Sequence, residues 1–318
     1  FMTMLYIALL IVGLVILIAG AEYLVRGSSS MARKMGLSTI VIGLTVVAFG
    51  TSAPEFVVNL MSAAKGSTDL AIGNIVGSNL ANILLILGIG ATIKTLKVKE
   101  GTTFKEIPFA LLAIATLAVM GNDVFFEGGG TNVVGRIDGI ILLAFFVIFM
   151  YYTFGMSKVE GEREGVDVYP WSRSIGMFIV GIVGLTLGGT LIVNNAIELA
   201  SLAGLSEALI GLTIVAIGTS LPELATTVVA IRKGHTDLAI GNAIGSNIFN
   251  VFWVLGVSAV VRPLPFDVHG NIDVLFTTAA TFVLFITMFI HKKHTIQRWQ
   301  GIAFICTYVA YITYAIIR

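Results

Sequence analysis

Residues 43–55 read Gly-Leu-Thr-Val-Val-Ala-Phe-Gly-Thr-Ser-Ala-Pro-Glu, and residues 211–223 read Gly-Leu-Thr-Ile-Val-Ala-Ile-Gly-Thr-Ser-Leu-Pro-Glu. The two stretches stand 168 positions apart. The alignment runs without a gap to residues 88 and 256, with 25 of 46 positions identical. Shared apolar composition does not place Pro54 opposite Pro222, Glu55 opposite Glu223 and Gly77-Ser78-Asn79 opposite Gly245-Ser246-Asn247. One structural unit used twice does. The same offset pairs Ile11-Val12-Gly13 with Ile179-Val180-Gly181 and Gly36-Leu37-Ser38 with Gly204-Leu205-Ser206, so the unit begins near the start of the chain.

Composition names the medium. The 318 residues are 57% hydrophobic and 12% charged, against about 25% charged in soluble domains. Apolar stretches of about 17–25 residues, long enough to cross a bilayer core of about 30 Å, recur at roughly 3–24, 38–63, 70–93, 104–121, 136–155, 173–195, 206–231, 238–261, 272–291 and 298–317. The first lacks a basic flank and is too long for the core of a signal peptide, so it reads as a span. Ten spans make two units of five. Five is odd, so the second unit enters the membrane from the opposite face, as in inverted-topology repeats. The predicted fold is an all-α integral membrane protein of ten transmembrane helices, with repeats at 1–155 and 173–318 joined by a polar linker at 156–172.

Charge sets the orientation. Alternating the ten spans puts Lys65, Arg136, Arg262 and Arg318 on the side of the termini and the other 15 of the 19 Lys and Arg residues opposite. The positive-inside rule then predicts a multi-pass protein of the plasma membrane with extracellular termini and a cytoplasmic linker. A net charge of +1 carries no nucleic-acid signal, and the single cysteine, Cys306, excludes an intramolecular disulfide.

A carboxylate deep in an apolar span is expensive, so Glu55 and Glu223 are functional candidates. On a continuous helix Thr51, Ser52 and Glu55 share a face. Pro54 removes the N–H that the Gly50 carbonyl would accept, which kinks the helix and loosens backbone oxygens. In the third span Gly73-Asn74 and Gly77-Ser78 are expected to weaken the helix in the same way, with Ser78 and Asn82 on one face. The second copy adds Thr219, Ser220, Ser246 and Asn250. This all-oxygen set suits hard cations, Ca²⁺ above all, and offers nothing to softer metals. Asp69 and Asp237 read as helix caps, Glu22 as the partner of Arg26 one turn on, and His291 and His294 as loop residues without further metal ligands.

The paired motifs Gly50-Thr51-Ser52-Ala53-Pro54-Glu55 with Gly77-Ser78-Asn79, and Gly218-Thr219-Ser220-Leu221-Pro222-Glu223 with Gly245-Ser246-Asn247, resemble the two α-repeats of the Ca²⁺/cation antiporter superfamily, and within it the prokaryotic Na⁺/Ca²⁺ exchangers. The resemblance implies a central cluster of cation sites. Glu55 and Glu223 would bind Ca²⁺ and Na⁺ with backbone oxygens of Thr51 and Thr219. Ser52, Ser78, Ser220 and Ser246 would build outlying Na⁺ sites with the carbonyls of Ala48 and Ala216. Asn82 and Asn250 would line the middle site, and spans one and six would slide as the gate. Asn250, where K⁺-dependent relatives and some archaeal K⁺-independent ones carry Asp, disfavours K⁺ coupling without excluding it.

The expected function is therefore secondary antiport of Na⁺ against Ca²⁺ by alternating access, K⁺-independent and electrogenic, with an H⁺/Ca²⁺ or K⁺-dependent Na⁺/Ca²⁺ antiporter as the alternative. A passive channel needs weak sites strung along an open pore, whereas inverted repeats converge on one occludable site. An enzyme is not expected: the sequence holds no nucleophile–His pair, no H-E-x-x-H motif and no phosphate-binding loop. Ca²⁺ and Na⁺ are the expected substrates, the lipid bilayer is the partner, no cofactor is implied, and a single chain is expected to suffice.

Overall fold

The computed structural model describes residues 2–65, 68–128, 131–155, 167–202, 204, 216–266 and 268–317. In chain order the helices are α1 (Met2–Met35), α2 (Thr39–Thr51), α3 (Ala53–Lys65), α4 (68–93), α5 (Thr102–Met120), the short α6 (Asp123–Glu127), α7 (Arg136–Gly155), α8 (Trp171–Leu202), α9 (Ala216–Thr219), α10 (Leu221–Arg232), α11 (Thr236–Val261), α12 (Val268–Thr287) and α13 (Arg298–Ile317). Two-residue strands β1 (Leu96–Lys97), β2 (Val133–Val134), β3 (Leu264–Pro265) and β4 (Thr295–Ile296) sit in the connections. Eight of the described helices are long and apolar enough to cross a membrane, and α2 with α3, bent by 48°, makes a ninth. The predicted span 206–231 lies partly outside the described residues. Its described part is α9 and α10.

Burial separates centre from rim. The most apolar windows of α4 and α11 are 78% buried, those of α1, α7 and α13 only 22%. Outward faces carry Ile11 and Val15 on α1, Ile179 and Val183 on α8, and Val147 on α7, all exposed. Faces this apolar over so many helices belong against lipid rather than water.

α1 packs along α8 because glycines let the backbones meet, as small residues do between membrane helices. A Cβ on Gly181 would come within 2.5 Å of the Leu24 nitrogen, and one on Gly188 within 2.5 Å of the Leu17 nitrogen. Backbone cannot yield as a side-chain tip can. Gly188→Val is therefore expected to destabilise the fold by about 3 kcal/mol, the upper range for overpacking. The adjacent Gly189→Ala, whose Cβ would find Leu17 Cδ1 no nearer than 4.0 Å, should be near neutral. Thermal unfolding in detergent, followed by fluorescence-detected size exclusion, compares the two.

Three sequence expectations are corrected. Glycines 73 and 77 do not interrupt α4, which stays α-helical over Thr68–Leu80 and loosens into a π turn at Ala81–Ile86. α11 does the same at Asn250–Leu255, one repeat offset away to within a residue. Such π turns inside α-helices mark functional segments. Asp237 is not a cap either: it lies in the first turn of α11, and its carboxylate meets Lys99 Nζ at 2.6 Å. The side chain of Asp69 lies outside the described residues. Finally, α1 and α8 overrun the apolar stretches 3–24 and 173–195, reaching about 50 Å at 1.5 Å per residue. Their polar ends find partners beyond the bilayer core, as where Lys34 Nζ sits 5.3 Å from the centre of the Trp171 ring.

Contacts between connections fall into two sets. In one, β1 pairs with β4, His294 Nδ1 lies 2.9 Å from Thr103 Oγ1, Lys99 meets Asp237, and Lys233 Nζ lies 2.8 Å from Glu22 Oε1. In the other, β2 pairs with β3, Asn122 and Asn271 exchange amide bonds, and Arg136 Nε donates to the Val260 carbonyl.

Candidate cation-binding site

Pro54 and Pro222 have no N–H to continue the helix, and the chain breaks two residues before each. Ser52 has φ −83° and ψ 8°, Ser220 φ −87° and ψ 3°. Equivalent residues thus adopt one conformation in both copies. Each break starts a new helix with its acid in the first turn, Glu55 in α3 and Glu223 in α10. Both glutamates are fully buried.

The break redirects the side chains. Ser52 does not serve Glu55, as a continuous helix would have it, but donates to Glu223 Oε1 at 3.0 Å. Ser246 lies 3.5 Å from the same oxygen. Ser78 lies 3.3 Å from Glu55 Oε1 and 3.0 Å from the hydroxyl of Ser220. Glu223 is therefore tied through one oxygen to hydroxyls of both copies, and Glu55 through one oxygen to Ser78 of its own copy, which is bonded on to Ser220 of the other. The Thr51 hydroxyl is 3.0 Å from Asn242 Oδ1 and also near the Val47 and Ala48 carbonyls, while Thr219 reaches Asn74 Oδ1 at 3.3 Å. Each of these threonine hydroxyls thus meets an asparagine of the other repeat. The Ala48 carbonyl already accepts from Ser52 N at 2.9 Å; Ala216 opens α9 at the matching position.

Four asparagines form the floor. Asn79 Nδ2 donates to the Asn247 carbonyl and Asn247 Nδ2 to the Asn79 carbonyl, at 3.2 and 3.3 Å. Their side-chain oxygens then accept two further amides: Asn82 Nδ2 donates to Asn247 Oδ1 at 2.9 Å, and Asn250 Nδ2 to Asn79 Oδ1 at 3.0 Å. With their N–H groups so held, Asn82 and Asn250 turn their oxygens away from these bonds. Four buried oxygens are left without a hydrogen-bond partner in this cluster: Glu55 Oε2, Glu223 Oε2, Asn82 Oδ1 and Asn250 Oδ1. All are acceptors. Buried acceptors left unpaired cost about 1–3 kcal/mol each, more when charged, and the ion pairs among the described residues, at Glu22, Arg26, Lys233, Lys99 and Asp237, put no cationic side chain against Glu55 or Glu223.

Asn74, Asn79, Asn242 and Asn247 carried no binding role in the sequence reading, although each recurs at the repeat offset. Their identity in both copies was the available signal. A cavity of about 190 Å³ adjoins the site, bounded by Pro54, Pro222 and Thr219 and, on α8, by Thr186, Thr190 and Asn194.

An all-helical membrane protein with buried oxygen donors gathered from two halves of its chain belongs to the class of multi-pass ion carriers. The family model described as sodium/calcium exchanger protein matches residues 5–155 and 173–317, and the chain belongs to that family. It is 37% identical over 272 residues to CaxA of Alkalimonas amylolytica, covering 82% of this chain and 83% of CaxA. To the sodium/calcium exchanger MaX1 of Methanosarcina acetivorans it is 31% identical over 300 residues, covering 82% and 84%. Among solved structures, the sodium-calcium exchanger NCX_Mj superposes with a TM-score of 0.84 at 32% identity, over 98% of this chain and 99% of that one.

Proposed function

We propose that the protein exchanges Na⁺ for Ca²⁺ across the plasma membrane by alternating access, binding both ions between Glu55 and Glu223. The observation that carries this reading is the set of four buried, unpartnered oxygens, two anionic and two neutral, supplied equally by the two repeats. Two carboxylates balance one Ca²⁺ or two Na⁺, and backbone oxygens of Thr51 and Thr219 raise the donor number toward the six to eight that Ca²⁺ takes. Ser52, Ser78, Ser220 and Ser246, with the carbonyls of Ala48 and Ala216, flank this centre as the outlying Na⁺ ligands.

Ten spans in two inverted five-helix repeats, 1–155 and 173–318 about the 156–172 linker, support the mechanism. The sixth of the ten opens the second copy, and α9 and α10 belong to its second span. The two sets of inter-connection contacts are the two faces of the membrane: one gathers the connections rich in Lys and Arg, the other those on the side of the termini, so the termini are extracellular. The cavity along α8 is the outward passage. A neutral amide at Asn250 removes the carboxylate a K⁺ site would use, and a single chain holds every ligand. If more Na⁺ charge crosses than the two charges of Ca²⁺, exchange responds to voltage at about 2.3 kcal/mol per charge per 100 mV.

Radioactive Ca²⁺ uptake into Na⁺-loaded proteoliposomes tests the coupling. Uptake that needs internal Na⁺ and ignores both external K⁺ and a pH gradient is expected. Uptake driven by the proton gradient, or requiring K⁺ beside Na⁺, would overturn the coupling while keeping the two glutamates.

A further inference from the structure

The cavity has a mirror image. Shifted by the repeat offset of 168, its lining residues Thr190, Asn194, Gly189 and Val58 become Glu22, Arg26, Ala21 and Thr226, while Pro54 and Pro222 exchange places. In the structure this second route is shut, with Ala21 and Thr226 fully buried. It is also polar beyond need. The hydroxyl of Thr226 is buried with no hydrogen-bond partner, although it does not belong to the ligand set.

At its mouth, Glu22 Oε1 lies 2.5 Å from Arg26 Nη2 and 2.8 Å from Lys233 Nζ. The second contact ties the rim helix α1 to the end of α10. The equivalent positions on the open route are Thr190 and Lys65, which cannot form an ion pair. The asymmetry is chemical, not topological. We infer that Glu22 and Lys233, with Arg26, form the latch of a closed cytoplasmic passage, one that the equivalent outer positions Thr190 and Lys65 do not reproduce.

This rests on the antiporter reading and its inverted repeats. For the site to face the cytoplasm α1 must part from α10, and the Glu22–Lys233 contact must break. The freed Glu22 carboxylate then lines the opened passage, and water satisfies Thr226. While intact, the latch biases the carrier toward the outward-facing conformation. Glu22 is 40% and Lys233 26% exposed in the side chain, so the bias is modest, at most about fivefold in the equilibrium between the two conformations.

Cysteine accessibility tests the latch in membrane vesicles, using the Cys306→Ser chain with either Ala21→Cys in the closed passage or Gly189→Cys in the open cavity. A membrane-impermeant maleimide is applied from each face in turn. Glu22→Gln and Lys233→Gln should each speed cytoplasmic labelling at Ala21→Cys by about two- to fivefold and slow outside labelling at Gly189→Cys. The exchange Glu22→Lys with Lys233→Glu should restore both rates. Unchanged rates in the single variants, or an exchanged pair that labels like the singles, would overturn the latch. Labelling needs no Ca²⁺ movement, so a wild-type chain that carried no Ca²⁺ would sink the antiporter reading alone and leave this readout standing.

Discussion

Glu55→Gln and Glu223→Gln are each expected to abolish Ca²⁺ transport while leaving the folded chain intact. Glutamine keeps the shape of the side chain and still offers an oxygen, so Ser52 and Ser78 keep an acceptor. What changes is charge. With two carboxylates a bound Ca²⁺ is balanced; with one, a net positive charge stays in a buried site with no anion to meet it. An uncompensated buried charge costs several kcal/mol after relaxation, which at 1.4 kcal/mol per tenfold is about three orders of magnitude in affinity. Radioactive Ca²⁺ uptake should fall to the level of empty liposomes for either variant, with monodisperse protein by size exclusion. Normal exchange by either would remove the glutamates from the site. Glu55→Asp and Glu223→Asp retain the charge but withdraw it by one methylene, so residual transport at raised Ca²⁺ concentration separates a charge requirement from a merely structural one.

Much of this site was legible before any coordinates. Coincident prolines and glutamates at a fixed offset cannot arise from apolar composition, and a proline mid-span predicts a break whose reality shows in the matched dihedrals of Ser52 and Ser220. What was not legible is what lies beyond the break. Helix-face reasoning assumes an unbroken helix, so it placed Ser52 beside Glu55, whereas the break sends its hydroxyl to the acid of the other repeat. The amide floor was invisible for a related reason. Asn79 and Asn247 are 168 residues apart, and no local periodicity joins them. Nor could the glycines of α4 announce their role: the helix passes through Gly73 and Gly77 and loosens only at Ala81, after the residue that forms the floor. The full length of α1 escaped because hydropathy stops near residue 24, while the helix runs on through Arg26 and Lys34, which pair beyond the apolar core.

The floor gives the second large effect. Asn79 and Asn247 accept the amide N–H groups of Asn250 and Asn82 and leave the side-chain oxygens of those two residues unpaired, for the proposed cation to meet. An amide freed from that bond rotates about its last torsion and can present hydrogen to a cation, turning an attractive dipole into a repulsive one. Partners that orient metal ligands typically carry 10–100-fold of affinity. Asn79→Ala and Asn247→Ala are therefore each expected to raise the Ca²⁺ concentration for half-maximal uptake by about 10–100-fold, and to weaken Na⁺ competition as well, since the same amide oxygens serve the shared centre. The maximal rate should fall far less than in the glutamate variants, because both charges remain. Asn79→Asp tells orientation from packing: it keeps the oxygen that accepts Asn250 Nδ2 but loses the donor to the Asn247 carbonyl. It should recover Ca²⁺ affinity relative to Asn79→Ala even though the backbone bond is gone. Equal loss in Asn79→Asp and Asn79→Ala would mean that the asparagines pack the two central helices and do not aim their neighbours.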